Sequence, residues 1–307
     1  MLISPTELLA RARREGYTVG AFNVFNMDFA SAVLEAACLE HSPVILQISM
    51  GARKYQGDWP LFAEQLKAAA GRREIPVFVQ HDHCADVAAC KEAVDAGVQA
   101  VMFDGSHLAY GENVSKTREV VAYAHARGVA VEAELGCLPG FEDMVFAEKA
   151  VFTDPMQAKA FVQATGCDSL AVSVGTSHGG VVAEGPLPIA FDTLRAIGEA
   201  LPGYPLVLHG AASLPAGMVD AVNGQGGRVA YLKNAGEADI AACAQWGVSK
   251  ANMDVDNFLA YTAAVRRMLN TQPEQYDPRK YLAAAKDALR EEVRRKMRGV
   301  LHSAGHA

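Results

Sequence analysis

The run Val77-Phe78-Val79 is apolar, and it ends in His81-Asp82-His83. Two imidazoles around a carboxylate put a metal ligand and a proton carrier in one place. Two more histidines stand at comparable points, His178 in GTSHGG and His209 in LVLHG, each followed by glycine. One histidine at a strand end is most often a hydrogen-bonded structural residue. Three at corresponding ends form a facial set for a divalent ion. Imidazole suits zinc, and three protein ligands leave a position open for substrate. Side chains alternate along a strand, so His81 and His83 share a face and spacing alone does not choose between them. His107, in FDGSH, and His125, in a helical stretch, read as non-ligands. Cys84, beside the motif, is a soft donor of another class.

These residues need a frame that gathers distant positions. Short β-rich apolar runs recur at Val19–Asn23, Val44–Ser49, Val77–His81, Ala100–Phe103, Val129–Glu134, Ser169–Val174, Leu206–His209 and Val248–Met253. Helical patterns lie between them, at Met27–Glu40, Trp59–Arg72, Val87–Ala96, Asn113–Arg127, Pro155–Thr165 and Phe191–Leu201, several closing on glycine at Gly71, Gly97, Gly128 and Gly166. Alternating strand and helix imply parallel strands joined by crossovers. Eight such units predict an α/β fold, a closed (β/α)8 TIM barrel spanning 1–307 as one domain. An open doubly wound sheet is the alternative. The N-terminus predicts a helix with a capping box of Ser4 and Glu7, Pro5 in its first turn and Gly16 as its stop.

Each strand ends in something polar: Asn23, Ser49, Asp82 with His83, Asp104, Glu132 with Glu134, His178, His209-Gly210, and Asn252-Met253-Asp254. In a barrel these ends converge on the active-site face. Glu132 and Glu134 share a parity, which aims one at the interior near an ion as a supporting group or second-site ligand. Pro215–Gly247 forms an extended connection between the seventh and eighth strands and carries NGQGGR. Residues 276–307 form a C-terminal helical extension, in which Asp277 caps a helix from Tyr276 to Gly299 and the run REEVRRKMR reads as its solvated face. Such extras serve oligomer contacts or the rim of a site.

Composition narrows the class. The chain has 307 residues, enough for a sizeable core, and a net charge of −7, which disfavours nucleic acid and anionic membrane surfaces as partners. No apolar run reaches the roughly 18 residues of a membrane span, and MLISPTELLARARREG lacks the character of a signal peptide. Six scattered cysteines without a C-x-x-C pair read as reduced thiols of a cytoplasmic protein.

The motifs GAFNV, D-H after the third strand, MFDGSH, VEAELG, DSLAVSVGTSHG, LVLHG and DPRKYL together resemble the class II, metal-dependent ketose-bisphosphate aldolases, the family of fructose- and tagatose-bisphosphate aldolases. The resemblance covers nearly the whole chain. It implies His83, His178 and His209 as ligands of a catalytic zinc, with Asp104 and Glu134 at a second or alternative divalent position. It implies Asp82 as the acid/base at the C4 hydroxyl and Glu142, in GCLPGFEDMV, as the carboxylate of a mobile lid (136–149) that moves the proton at the nascent enediolate. Asn23 and Ser49 match substrate contacts. Arg279 in DPRK resembles an arginine that reaches a neighbouring subunit's site to hold the far phosphate, which implies a homodimer or homotetramer. A monovalent cation is a further cofactor that the resemblance leaves open. The implied substrates are ketose (bis)phosphates of carbohydrate metabolism, as in glycolysis.

The chain departs from the family at the donor-side phosphate. Val182 stands where a lysine usually follows the sixth-strand histidine, Ala212 where serine usually follows LVLHG, and Val255 where the last strand usually reads Thr or Ser. Backbone N–H groups of Gly179, Gly210 and the Asn252–Asp254 loop, with Ser213 nearby, remain to hold an anion as a nest does. One reading is an ordinary fructose-bisphosphate aldolase that binds more weakly. The other is an aldolase whose donor half lacks that phosphate. Rival readings are a Schiff-base aldolase using Lys250, a barrel that binds sugar phosphates without catalysis, and a zinc hydrolase.

Overall fold

The computed structural model describes residues 1–307 except Ala85, Asp143, Met144, Glu148 and Lys149, and the side chains of 141–149 lie outside the description. The strands are β1 (Val19–Asn23), β2 (Val44–Ile48), β3 (Val77–Cys84), β4 (Ala100–Phe103), β5 (Ala130–Leu135), β6 (Gly140–Glu142), β7 (Val145–Ala147), β8 (Ser169–Val172), β9 (Leu206–Leu208) and β10 (Val248–Met253). Eight of them close a parallel barrel in the order β1-β10-β9-β8-β5-β4-β3-β2. This is the TIM barrel the alternation predicts, and the open sheet is excluded. β6 and β7 form an antiparallel hairpin, so the expected lid loop carries regular structure of its own. Glu142 is in β6, and its side chain is outside the description. Among the described residues no helix is long and apolar enough to cross a membrane.

Period-two alternation decides what each strand buries. On β3, Phe78 joins the interior cluster with Ala21, Ile45, Ala100 and Ala130, while Val77 and Val79 pack outward beneath the helices. The N-terminal helix, Pro5–Glu15, adds Leu8, Leu9 and Ala12 to that interior cluster and closes the barrel floor. Above this apolar layer the inward positions turn polar: Gln47, Gln80, Glu132 and Lys250, then Asn23, Asp82, Glu134 and Asn252. The interior thus grades from hydrocarbon at the floor to hydrogen-bonding groups at the mouth.

The N-terminal helix lacks the expected capping box. Ser4 makes no side-chain cap bond, and its Oγ pairs with Thr6 Oγ1 at 2.9 Å instead. Gly16 does end the helix in the left-handed region, at φ 76°. Gly71, by contrast, is still helical, and Arg72 ends that segment.

The C-terminal helix, Pro278–Gly299, lies alongside the helix Met27–Leu39, held by Lys286–Asp28 (3.7 Å), Arg290–Glu35 (3.4 Å) and Arg294–Glu40 (2.7 Å). The partners ascend together, so the two helices run parallel. The first turns around Arg279 therefore overhang the start of Met27–Leu39 on the mouth side. Asp277 caps the helix through the Arg279 N–H, as expected.

The charge run is not wholly solvated. Lys296 is fully buried, with Nζ 2.6 Å from Asp256 Oδ2 and 2.8 Å from Glu237 Oε1, and Glu292 is also buried. The reason is spacing: Glu292 and Lys296 share the face of Val293 and Met297, which is pressed against the barrel. Removing one partner of a buried pair leaves an uncompensated charge. Lys296→Met is therefore expected to lower unfolding stability by about 3–5 kcal/mol, read by urea denaturation.

Candidate active site

A bulge in β3 sets the direction of His83. The pairing with β4 shifts between His81 and Cys84, and His83 takes a left-handed backbone, φ 44°. His81 faces outward, against Trp59 and with Nδ1 3.2 Å from Cys84 Sγ. Strict alternation would leave His83 on that same outer face. The bulge turns it to the mouth, beside the inward-facing Asp82. Of the two histidines, His83 is thus the one at the mouth, while His81 and Cys84 pair with each other on the outer face.

The three imidazoles meet. Ring centroids are 4.7 Å apart for His83–His209, 5.2 Å for His83–His178 and 5.9 Å for His178–His209. One donor atom from each, together with a Glu134 oxygen, lies within 4.8 Å of all the others. His209 Nδ1 and Glu134 Oε2 are buried, make no hydrogen bond, and sit 3.4 Å apart. Two buried acceptors facing each other need a proton or a cation between them. The donor set, imidazole nitrogens and one carboxylate, fits zinc.

Neighbours orient these side chains. Asp104 Oδ2 lies 3.1 Å from His83 Nδ1, and its Oδ1 accepts from Ser106 N (3.0 Å) and Oγ (2.7 Å). Burial alone would raise the Asp104 carboxyl, but His83 and Ser106 hold it well below the usual range. Asp104 thus stands behind His83 rather than inside the donor quartet, whereas Glu134 is inside it. His209 Nε2 lies 2.9 Å from Glu132 Oε1. Burial works against a proton on His209, but Glu132 and Glu134 outweigh it and raise the ring to about 9. Burial likewise disfavours the Glu132 anion, yet Lys250 and His209 bring its carboxyl down to about 2.

Asp82 is fully buried, and its Oδ2 accepts from Asn252 Nδ2 at 3.0 Å. Asn252 is held in turn by Gln47, at 3.2 Å. Asn23 Nδ2 reaches Asp254 Oδ2 at 3.5 Å, and Ser49 Oγ caps the helix Met50–Gln56 through Ala52 N. Gly179 and Gly210 both have left-handed backbones, in the loops that follow β8 and β9. Ser213 has a different task from the expected one. Its Oγ donates to Glu237 Oε1 (2.9 Å) and accepts from Lys296 (2.8 Å), which ties it to the C-terminal helix. Arg279 is exposed and paired with Asp277 at 2.9 Å, away from the histidines of its own chain.

Some residues that build the site escaped the sequence reading. Asn234, from the extended connection, donates to Ser177 O (2.7 Å) and Gly210 O (2.8 Å) and accepts from Ser177 N (3.1 Å), locking two site loops together. Nothing in YLKNAGE marks it. Gln47 and Gln80 did carry a signal: amide side chains at inward parity in otherwise apolar strands.

The sequence profile described as fructose-bisphosphate aldolase class-II matches residues 3–306. The fructose-bisphosphate aldolase of Treponema pallidum is 41% identical over 325 aligned residues, covering 100% of this chain and 98% of that one. That of Thermus caldophilus is 42% identical over 299, covering 97% of each. Among solved structures, the YdjI aldolase of Escherichia coli K12 superposes with a TM-score of 0.80 at 27% identity, covering 100% of both chains.

Proposed function

Because the chain belongs to the class-II fructose-bisphosphate aldolase family, we propose that it is a zinc-dependent ketose phosphate aldolase whose ion is held by His83, His178 and His209 with Glu134 beside them. The carrying observation is the convergence of those four donors next to a buried Asp82. A divalent ion there supplies Lewis-acid stabilisation of the charge that develops on the substrate ketone oxygen, a contribution of several kcal/mol. Asp82 accepts the proton of the C4 hydroxyl, on the acceptor-side carbon of the scissile bond, and Asn252 fixes the carboxylate for that transfer. Glu142 moves the proton at the donor carbon once that bond has broken. Asn23, Ser49 and Asp254 line the approach, and Arg279 reaches a neighbouring subunit of a homodimer or homotetramer, consistent with its overhanging helix end.

A second ion fits less well. In the other donor group, Asp82, Glu132 and His209, a lysine ammonium already lies 2.8 Å from Glu132. The proposal needs neither a second divalent nor a monovalent cation. Lys250, held at both oxygens of a buried carboxylate, is not set up as a nucleophile.

The donor-side departures support an altered substrate. Ala212 is buried in an apolar cluster with Leu214, Val219, Val222 and Leu259, and Val255 packs against the same cluster. Two positions where relatives carry hydroxyls thus share one dry patch here, while Val182 is 89% exposed. A lost charge-assisted phosphate contact amounts to about 1.5–3 kcal/mol. Substrate profiling is therefore expected to give kcat/KM for ketoses lacking the donor-side phosphate at least equal to that for fructose 1,6-bisphosphate. Efficient cleavage of the bisphosphate, with tight retention of dihydroxyacetone phosphate, overturns this.

A further inference from the structure

Glu132, on β5, gathers donors from three other strands. Lys250 Nζ, on β10, is 2.9 Å from Oε1 and 2.8 Å from Oε2. His209 Nε2, just past β9, is 2.9 Å from Oε1, and Gln80 Nε2, on β3, donates to Oε2 at 3.2 Å. Since β10 and β5 are three places apart in the ring, the lysine stem crosses the barrel interior beneath the histidines. Lys250 and His209 are fully buried and Glu132 is 2% exposed, so the arrangement is shielded from bulk solvent.

We propose that Lys250 is a positioning residue for the ion site: by holding both oxygens of Glu132 from below, it fixes in place the acceptor that holds His209 through Nε2–H and presents Nδ1 to the ion. The inference rests on the metal reading above. An ammonium has only protons to give, and so has the nitrogen of the Gln80 amide. Both Glu132 oxygens therefore face donors, and the remaining bond, from His209, must be Nε2–H to carboxylate. Once an ion takes the place of a ring proton, the nitrogen left to bind it is Nδ1, the atom that faces Glu134 Oε2 at 3.4 Å. Without the ammonium, Glu132 is a buried unpaired anion. With both Lys250 contacts gone, its oxygens lose the partner that fixes them across the barrel, and the His209 ring loses the anchored acceptor that sets its orientation. Gln80 extends the same network upward, with Nε2 3.4 Å from Asp82 Oδ1, so the lysine also stands beneath the proposed acid/base.

The test uses the full chain, stripped of metal and titrated with Zn2+ against a chromophoric chelator and with Co2+ by absorption. Partners behind metal ligands typically contribute about 10–100-fold in affinity, so Lys250→Met is expected to weaken zinc by that factor and to change the cobalt spectrum. Lys250→Met/Glu132→Gln is expected to recover to within about tenfold of wild type, because the Gln carbonyl still accepts Nε2–H and no charge is stranded. Wild-type zinc affinity in folded Lys250→Met overturns the inference, and so does a double variant as weak as the single one. If Lys250→Met does not fold, [15N]histidine NMR of the zinc-loaded wild type decides: Nε2–H on His209 is expected, and Nδ1–H overturns it. A wild type that takes up neither ion fails the metal reading itself, a distinguishable result.

Discussion

Asp82→Asn is expected to lower kcat for ketose cleavage by about 10²–10⁴-fold, the usual contribution of a positioned general base. The amide has nearly the same shape but cannot take a proton. Asp82 is fully buried and receives Asn252 Nδ2 at 3.0 Å, so the substituted side chain has a fixed place to sit and the fold should persist. The loss should fall on kcat rather than KM, because the group acts on a proton in flight. Exchange of the donor-carbon proton, assigned to Glu142, should survive the substitution. Steady-state kinetics and solvent deuterium exchange check the two halves separately. A kcat within tenfold of wild type would remove Asp82 from its assigned role.

Exhaustive chelation is expected to reduce turnover by about a thousandfold or more, since a Lewis acid contributes several kcal/mol and each 1.36 kcal/mol is a factor of ten. Added Zn2+ should restore it. His178→Ala should reproduce the loss together with weakened metal uptake, because one of the four converging donors is gone. Borohydride with substrate should trap nothing on Lys250, which is sequestered by Glu132. Full activity after verified demetallation, or a reduced covalent adduct, would sink the metal reading.

The strands were legible because a barrel buries them on both faces, so each appears as an apolar run ending in a polar residue. β1, β4 and β10 fall on their expected bounds, and the others differ by one to three residues at their ends. The convergence of His83, His178 and His209 was legible for a related reason, since parallel strands bring their C-terminal ends to one rim. What stayed hidden was set by tertiary context. The β3 bulge reverses the parity of His83, and no local pattern announces it. Lys296 and Glu292 look like surface charges until the facing Asp256 and Glu237, from segments far off in the chain, are in place. Ser213 looked like a phosphate contact because its position follows LVLHG, but Lys296 and Glu237 claim its hydroxyl. Asn234 acts through two backbone carbonyls, a partnership that residue type does not encode.

The apolar floor, sealed by Leu8, Leu9 and Ala12 over Phe78 and Ile45, has a consequence for traffic. An apolar layer of that kind disfavours passage of a hydrated ion through the floor. On the proposed function, ion, substrate and displaced water would then share the mouth as their doorway, so whatever occupies the doorway would also guard the ion from escape.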